Sequence, residues 1–463
     1  MRIPIITGTM ANETGGFVTS FPVNREPIVK DVGLSEGYLA APPGIAHKAD
    51  GPGADRGGFN WRDQCFRVMG TKLVRVESDF TVTVLGDVGS GDVCGFDGSF
   101  DNLIINSGTR LYYWNPTDGT RQVTDANLGT VVDAIWVDGF TMTTDGTFLV
   151  VTELNNPMLV KPTKYGSAED SPDPITGLLR VRGEVLAFGG TTIQFYQNIG
   201  GSGFPFQTVK TATIPYGCVG PRAKCKYLGT AAFVGGPENG ENGVYLVASG
   251  DATKISPAEV DADIAALSDA EKAAIWIEAR VLNDDRRLMV HLPNKTWGFS
   301  EQATKRGQAK IWSQYVTSTS ETGAYQGRGL VHCYGKWVVG SQTGKIGILD
   351  STTAQHFGED VYWRFDTPLL FNEADRALLT GITLTGTPGR GNADSRVFWS
   401  YTKDGETWSL ERETSSGKLG ERTKRVTWRP GVRFEQYMGL RFRGVDGSLM
   451  NITRLDCDLE AMG

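Results

Sequence analysis

Between residues 60 and 350 short apolar runs alternate with turns rich in glycine and asparagine. "CFRVMGTKLVRVE" from Cys65, "LIINSGTRLYYWN" from Leu103, "FLVVTELNNPMLVKP" from Phe148 and "VLAFGGTTIQFYQ" from Val185 share this pattern. "AAFVGGPENGENGVYLVA" from Ala231, "RLMVHLPNKTWGFS" from Arg287 and "WVVGSQTGKIGILD" from Trp337 continue it. Each predicts a hairpin: two short strands around a turn that tolerates positive φ. The copies begin about 40 to 55 residues apart, near the interval at which four-stranded propeller blades repeat. An all-β chain with a six- or seven-bladed β-propeller is the expectation. Unrelated hairpins in sandwiches are the alternative, since the copies share pattern and not sequence.

Two regions leave the period. Ser256 to Val281, "SPAEVDADIAALSDAEKAAIWIEARV", predicts a small helical insertion, with Ser256/Glu259 and Ser268/Glu271 spaced as capping boxes. Ile264, Leu267, Ile275 and Ile277 supply its apolar positions and Pro257 suits a first turn. Such an insertion serves either packing or partner contact, and both stay open. From about Val361 the runs "VYWRFDTPLLF", "ALLTGITLTGT" and "YMGLRFRGVDGSLMNITRLDCDLE" predict the strands of a separate C-terminal β-sandwich-like domain. The Pro- and Gly-rich stretch from Gly37 to Gly58 predicts an irregular surface connection. The expected organisation is an N-terminal strap over 1–58, a propeller over 59–355 with its insertion at 256–281, and a C-terminal β domain over 356–463.

Composition sharpens this. Glycine is 59 of 463 residues, about 13% against a typical 7% or so, which favours turns and strands over helix. The net charge of −7 gives no general affinity for nucleic acid. Residues 411–443 run against it, with nine Lys/Arg and four Asp/Glu. Cross-strand ion pairs on a solvated face explain that balance, and an acidic partner is the other reading. Cys65, Cys94, Cys218, Cys225, Cys333 and Cys457 lie far apart, as buried thiols of a reducing compartment would. The N-terminal apolar run is too short for a signal peptide, and no segment approaches a membrane span.

Catalytic patterns fail one by one. "GSQTGKIG", Gly340 to Gly347, has too short an interval for a phosphate loop and carries Ile346 where Ser or Thr is needed. "GPGADRG" precedes no helix. His47, His291, His332 and His356 form no metal spacing, and His291 and His332 read as satisfied strand histidines. "SYTKDGETW", Ser400 to Trp408, resembles the Asp-box turn of sialidase propellers, but Asp404 directly precedes Gly405, so one residue is missing. That turn is structural in any case. The expectation is no catalytic, cofactor-binding or metal-binding residue and no cofactor.

The opening order Phe21-Pro22-Val23-Asn24, Gly37-Tyr38-Leu39, Pro43-Gly44-Ile45 and Arg56-Gly57-Gly58 is followed by the first hairpin. With "LRVRGEVLAFGGTTIQFYQNIGG", "DRRLMVHLPNKTWGFS", "WRFDTPLLF" and "VFWSYTKDGETWSLER" downstream, it resembles the packaged-DNA stabilisation proteins of short-tailed bacteriophages. These form the tail hub, or nozzle, below the portal. The resemblance implies a non-enzymatic virion protein assembled in the host cytoplasm. It further implies a homo-hexamer on the portal-adaptor, around a DNA channel without sequence-specific binding. Contacts to a tail needle or plug and to tailspikes or fibres follow, and Gly37 to Gly58 becomes scaffold. A carbohydrate-active, sialidase-like propeller and a generic protein-interaction propeller are the competing readings.

Overall fold

The computed structural model describes residues 1–12, 14–30, 32–167, 173–209, 212–282, 284–307, 309–371, 376–390 and 395–462. Among them, seven antiparallel sheets form the blades of a propeller. The innermost strands are Asp55–Trp61, Gly95–Gly98, Asp133–Val137, Ile175–Val181, Lys224–Tyr227, Trp276–Leu282 and Arg328–Cys333. Each lies against the next, and the last returns to the first. Blade 5 alone has a split inner edge, where Gly217–Cys218 and Lys224–Tyr227 both pair with Thr230–Gly236.

The near-continuous apolar runs follow from this geometry. Side chains alternate across a strand, so a middle strand between two blades must be apolar on both faces. In blade 1, Phe66, Val68 and Leu73 pack toward blade 2 with Leu103, Ile105 and Trp114. Cys65, Met69, Val74 and Val76 pack toward blade 7 with Val331, Val338 and Ile346.

Blade 7 is assembled from both ends of the propeller sequence. Gly44–Asp50 pairs with Lys345–Asp350, in the register Ile45 with Leu349 and Ala46 with Ile348, as the outermost strand. The stretch from Gly37 to Gly58 is therefore not irregular throughout: it holds parts of three strands, Tyr38–Ala40, Gly44–Asp50 and Asp55–Trp61. Pro42 and Pro43 fall between the first two strands and Pro52 in the turn before the third, so no ladder loses a donor. A Cβ at Gly44 would lie 2.4 Å from the Gln355 carbonyl oxygen, so the close approach there requires glycine.

The second domain is a sandwich. One sheet runs Glu26–Ile28, Tyr38–Ala40, Ile452–Ala461, Ala377–Gly386 and Val426–Trp428, with Arg2–Ile3 on Ile452–Ala461 and Val432–Phe434 on Ala377–Gly386. The other runs Val361–Asp366, Tyr437–Asp446, Arg396–Thr402 and Arg412–Ser415, with Leu370–Phe371 beside Tyr437–Asp446. Trp363, Phe365, Trp399, Leu379, Leu384 and Phe442 fill the space between.

The helical window is shorter than its sequence predicts. Helix α1 spans Ala258–Ala265 and helix α2 spans Asp269–Ala273, whereas Trp276–Leu282 is the inner strand of blade 6. Ile275 and Ile277 thus belong to the blade core. Of the two expected capping boxes, only Ser268/Glu271 forms. Ser256 instead accepts the Val244 N–H at 2.9 Å and bonds Asp261, tying α1 to blade 5. A third helix, α3 at Glu301–Gly307, lies between two strands of blade 6 and carries no sequence signal strong enough to separate it from a turn.

Candidate functional site

The catalytic lures resolve into structure. Gly340 to Gly347 is the turn joining Lys336–Gly340 to Lys345–Asp350, and "GPGADRG" joins the closing strand to blade 1. His291 is buried, its Nε2 2.8 Å from Glu278 and its Nδ1 3.1 Å from the Thr296 hydroxyl. Burial holds its pKa below the usual imidazole range. His356 is also buried, 2.8 Å from the Thr317 hydroxyl, and burial pushes it down to about 3. His47 and His332 are exposed. All six cysteines are unbonded thiols, five buried and Cys225 half-buried. No cluster of three or more His, Cys, Asp or Glu suited to a metal occurs among the described residues. Asp404 accepts from the Glu406 and Thr407 N–H groups at 2.9 and 2.8 Å, so it organises the hairpin turn. The Thr407 hydroxyl and these amides hold its carboxyl well below the usual range.

The propeller axis is lined by buried ions. Asp133 accepts from Arg222 at 2.6 Å, Lys224 at 2.7 Å and the Leu178 N–H at 2.8 Å. Burial alone would raise this carboxyl, yet the Lys224 and Arg222 charges bring it below its ordinary value. A recurring device joins the blades: an inner-strand carboxylate accepts an N–H from an inner strand of the following blade. Asp97 takes the Trp136 N–H at 2.9 Å, Asp133 that of Leu178, and Glu278 that of Leu330 at 2.7 Å. Where blade 7 meets blade 1, Arg67 donates to Asp55 at 2.8 Å and to the Gly329 carbonyl at 2.9 Å. The remaining axial cavity is about 430 Å³, lined by Gly95, Asp97, Arg180, Arg222, Lys226 and Trp276 among others. That is small-molecule size, far below what a nucleic-acid duplex requires.

The second constellation joins the two domains. Residues 21–26 thread between blade 6 and the sandwich. The Val23 N–H donates to the Arg364 carbonyl at 2.8 Å, and the Arg364 N–H returns to Val23 at 3.1 Å. On the other side the Gln314 N–H reaches Pro22 and the Asn24 N–H reaches Gln314, both at 2.8 Å. The outer strand of blade 6 and the sandwich strand Val361–Asp366 therefore form one sheet through Val23. Asn24, at φ 45°, donates its amide to the Val316 and Tyr362 carbonyls at 2.9 and 2.7 Å. Arg25 lies 4.3 Å above the Trp363 ring, and burial lowers its pKa to about 10. Glu26 is paired with Arg280, accepts the Tyr315 hydroxyl at 2.6 Å and sits 3.6 Å from Arg287. Burial opposes its charge, but the Arg287 and Arg280 charges hold it ionised below the ordinary range.

None of Arg25, Glu26, Arg280 or Arg287 stands out in the sequence. Their one signal is a charge at an inward position of an apolar strand. That pattern is equally compatible with a solvent-facing position until the register is known.

A family described as "Bacteriophage P22 Gp10, beta-propeller" matches residues 1–354, and its companion, "Bacteriophage P22 Gp10, beta-sandwich", matches 362–460. The chain belongs to the Gp10 family. The tail hub protein gp10 of Salmonella phage P22 is 24% identical over 482 aligned residues, covering 99% of each chain. Among solved structures, the N-terminal domain of Nup159 aligns with 70% of this chain and 98% of its own, at 11% identity and TM-score 0.41. The WD40 domain of Neurospora crassa Pan2 aligns with 64% of this chain and 88% of its own, at 9% identity and the same score. Likenesses of that degree add nothing to the assignment. In this Gp10-family chain the break between the two matched regions falls between blade 7, ending at Asp350, and the sandwich, starting at Val361. The first forty residues lie inside the propeller match yet hydrogen-bond the sandwich.

Proposed function

We propose that this chain is a structural tail hub protein of a short-tailed bacteriophage, with no enzymatic activity. The observation that carries the reading is the collinear match to a tail hub protein over 99% of both chains. Six copies form a ring on the portal-adaptor, conduct DNA into the host, help retain it beforehand, and mount a needle or plug and tailspikes or fibres. The axial cavity of one propeller is too small for a duplex, so the conduit is the hole enclosed by the ring and not the hole of any subunit. The ion pairs along each propeller axis serve rigidity: a conduit wall under pressure needs subunits that do not deform. The protein is made and assembled in the host cytoplasm, where six unbonded cysteines stay reduced.

Electron microscopy of the purified protein, with its solution mass from light scattering, tests this reading. Six-fold rings with an open centre, formed alone or on addition of the cognate portal-adaptor complex, are expected. A protein that stays monomeric and fails to bind that complex overturns it.

A further inference from the structure

Opposite charges are segregated onto two exposed surfaces of this chain. At the outer edge of the sandwich, Val426–Trp428 ends the sheet farthest from the strands that join it to the propeller. Around it Lys418, Arg422, Lys424, Arg425 and Arg429 are exposed, and none makes an ion pair among the described residues. Three of the region's four acids are engaged elsewhere, Glu411 with Arg443, Glu413 with Arg396, and Glu435 with Arg376 and Arg433, while Glu421 is exposed among these cations and accepts the Lys418 N–H at 2.8 Å. Arg422, Lys424 and Arg425 line one shallow groove of about 290 Å³, floored by Thr383 to Gly386 and Met450. Beside them Leu419 is 66% exposed, an apolar side chain set among cations.

The complementary surface lies at one end of blade 5. Glu238 and Glu241 occupy the turn joining Thr230–Gly236 to Gly243–Ala248, and both are exposed. Gly243 approaches Asp261 of α1, and Gly220 packs against Ala273 of α2, so α1 borders that turn and α2 lies along the inner edge of the same blade. Helix α2 buries none of its five residues. It presents Asp269 and Glu271 with Ala270, Ala273 and Ala274, all exposed, while Lys272 is half-buried 3.7 Å from Asp269 and Glu271 also caps the helix at Ser268. A helix that contributes nothing to its own core, faced with small apolar and acidic side chains, is a surface awaiting a cover.

We propose that the basic sandwich edge of one copy docks on the acidic blade-5 and α2 surface of the next. Lys424 and Arg425 meet Glu238, Glu241 and the α2 acids, and Leu419 lies on the alanine face. The occupant is a second copy because the two patches match in charge and character and are different surfaces of one chain. Such a contact is head-to-tail and generates a closed ring when its rotation closes. Charge complementarity also sets register and orients encounter. The inference rests on the ring assembly proposed above and names the surfaces that make it.

The test is a charge swap on the full chain. Lys424→Glu with Arg425→Glu, and separately Glu238→Lys with Glu241→Lys, change only exposed side chains, and a thermal melt of each variant verifies folding. Self-association, alone and with the portal-adaptor complex, is followed by light scattering and electron microscopy at several ionic strengths. Each pair is expected to weaken association roughly tenfold or more. The quadruple variant is expected to recover it, and added salt to weaken the wild type. Folded variants that assemble like the wild type, or a folded quadruple variant that does not recover, overturn this interface while leaving the ring reading intact. Variants that assemble normally but give particles with altered DNA retention assign the basic edge to DNA and also overturn it. A wild type that never associates overturns both readings.

Discussion

Glu26 carries more of this structure than its place in an unremarkable EPI triplet suggests. It sits between two buried arginines, and its carboxylate is the main countercharge for Arg280. Removing one partner of a buried pair strands the others, so Glu26→Ala is expected to cost about 3–5 kcal/mol in urea unfolding. Glu26→Gln keeps the shape and the Tyr315 contact but leaves Arg280 unneutralised, while Arg287 retains Asp285, and belongs in the same range. A loss below about 1 kcal/mol for either would show that water already screens the junction. The two buried histidines act through pH. Unfolded, both titrate near 6.5, while burial holds the folded His356 near 3 and lowers His291. The unfolded chain therefore takes up protons first as pH falls. The histidine contribution is complete above about 6.5 and is lost as pH falls, by up to about 1.4 kcal/mol per pH unit for His356, with His291 adding in the same direction. The carboxyls held low, Glu26, Asp133 and Asp366, add to the loss only at more acidic pH. Asp55, Asp97 and Asp446, whose carboxyls burial raises, take up protons first in the folded chain and oppose part of this loss, so the histidine share is read from a variant. Denaturant titrations should show it, with His356→Gln removing one share.

At the scale of elements, the closing strand and the capped helix have opposite consequences. Gly44–Asp50 completes blade 7, and without it Lys345–Asp350 becomes an unpaired edge while the ring loses its closure. Deleting 44–50 is expected to abolish cooperative unfolding by circular dichroism and to produce aggregates on size exclusion. A monomer with an unchanged melting curve would assign closure to the sandwich contacts instead. Helix α2 is the reverse case. Ser268→Ala removes a cap worth about 1 kcal/mol to the helix. None of its residues is buried, so the global melting point should barely move. Faster hydrogen exchange confined to residues 269–274 is the expected signature. Spread of that exchange into Trp276–Leu282 would show that the helix braces blade 6.

At the scale of the whole molecule, the N-terminal segment makes two domains one body. Residues 2–3, 26–28 and 38–40 are strands of the sandwich, 21–24 bridge it to blade 6, and 44–50 close the propeller. The sandwich should therefore not fold from residues 356–462 alone. Supplying residues 1–43 through a flexible linker should restore a cooperative melt, since it returns Ile3, Ile5 and Leu39 to the core. Cooperative folding of 356–462 by itself would reduce the segment to a surface strap. A chain beginning at residue 44 and ending near 355 retains every blade but lacks Phe21 and Glu26, so it is expected to fold with lower stability than the whole chain.

The propeller was legible because each blade is local: its strands follow one another, and the alternation of "CFRVMGTKLVRVE" repeats the rule that middle strands bury both faces. The Asp404 turn and the Ser268/Glu271 cap were legible for the same reason, since donors and acceptors lie within three residues. Ile275 to Val281 misled because a short apolar run after two helices satisfies either period. Its fate is decided by the Asp285–His291 strand that pairs with it. The closing strand, the sandwich strands of the first forty residues and the Glu26 cluster depend on partners about 250 to 450 residues away. No local spacing encodes those separations. Sequence by itself determined the blades, the turns and the absence of a recognisable catalytic pattern, all of which are properties of neighbours along the chain. Tertiary structure alone decided which charges are buried together and which stay exposed and unpaired, because burial belongs to the packed surface and not to the residue.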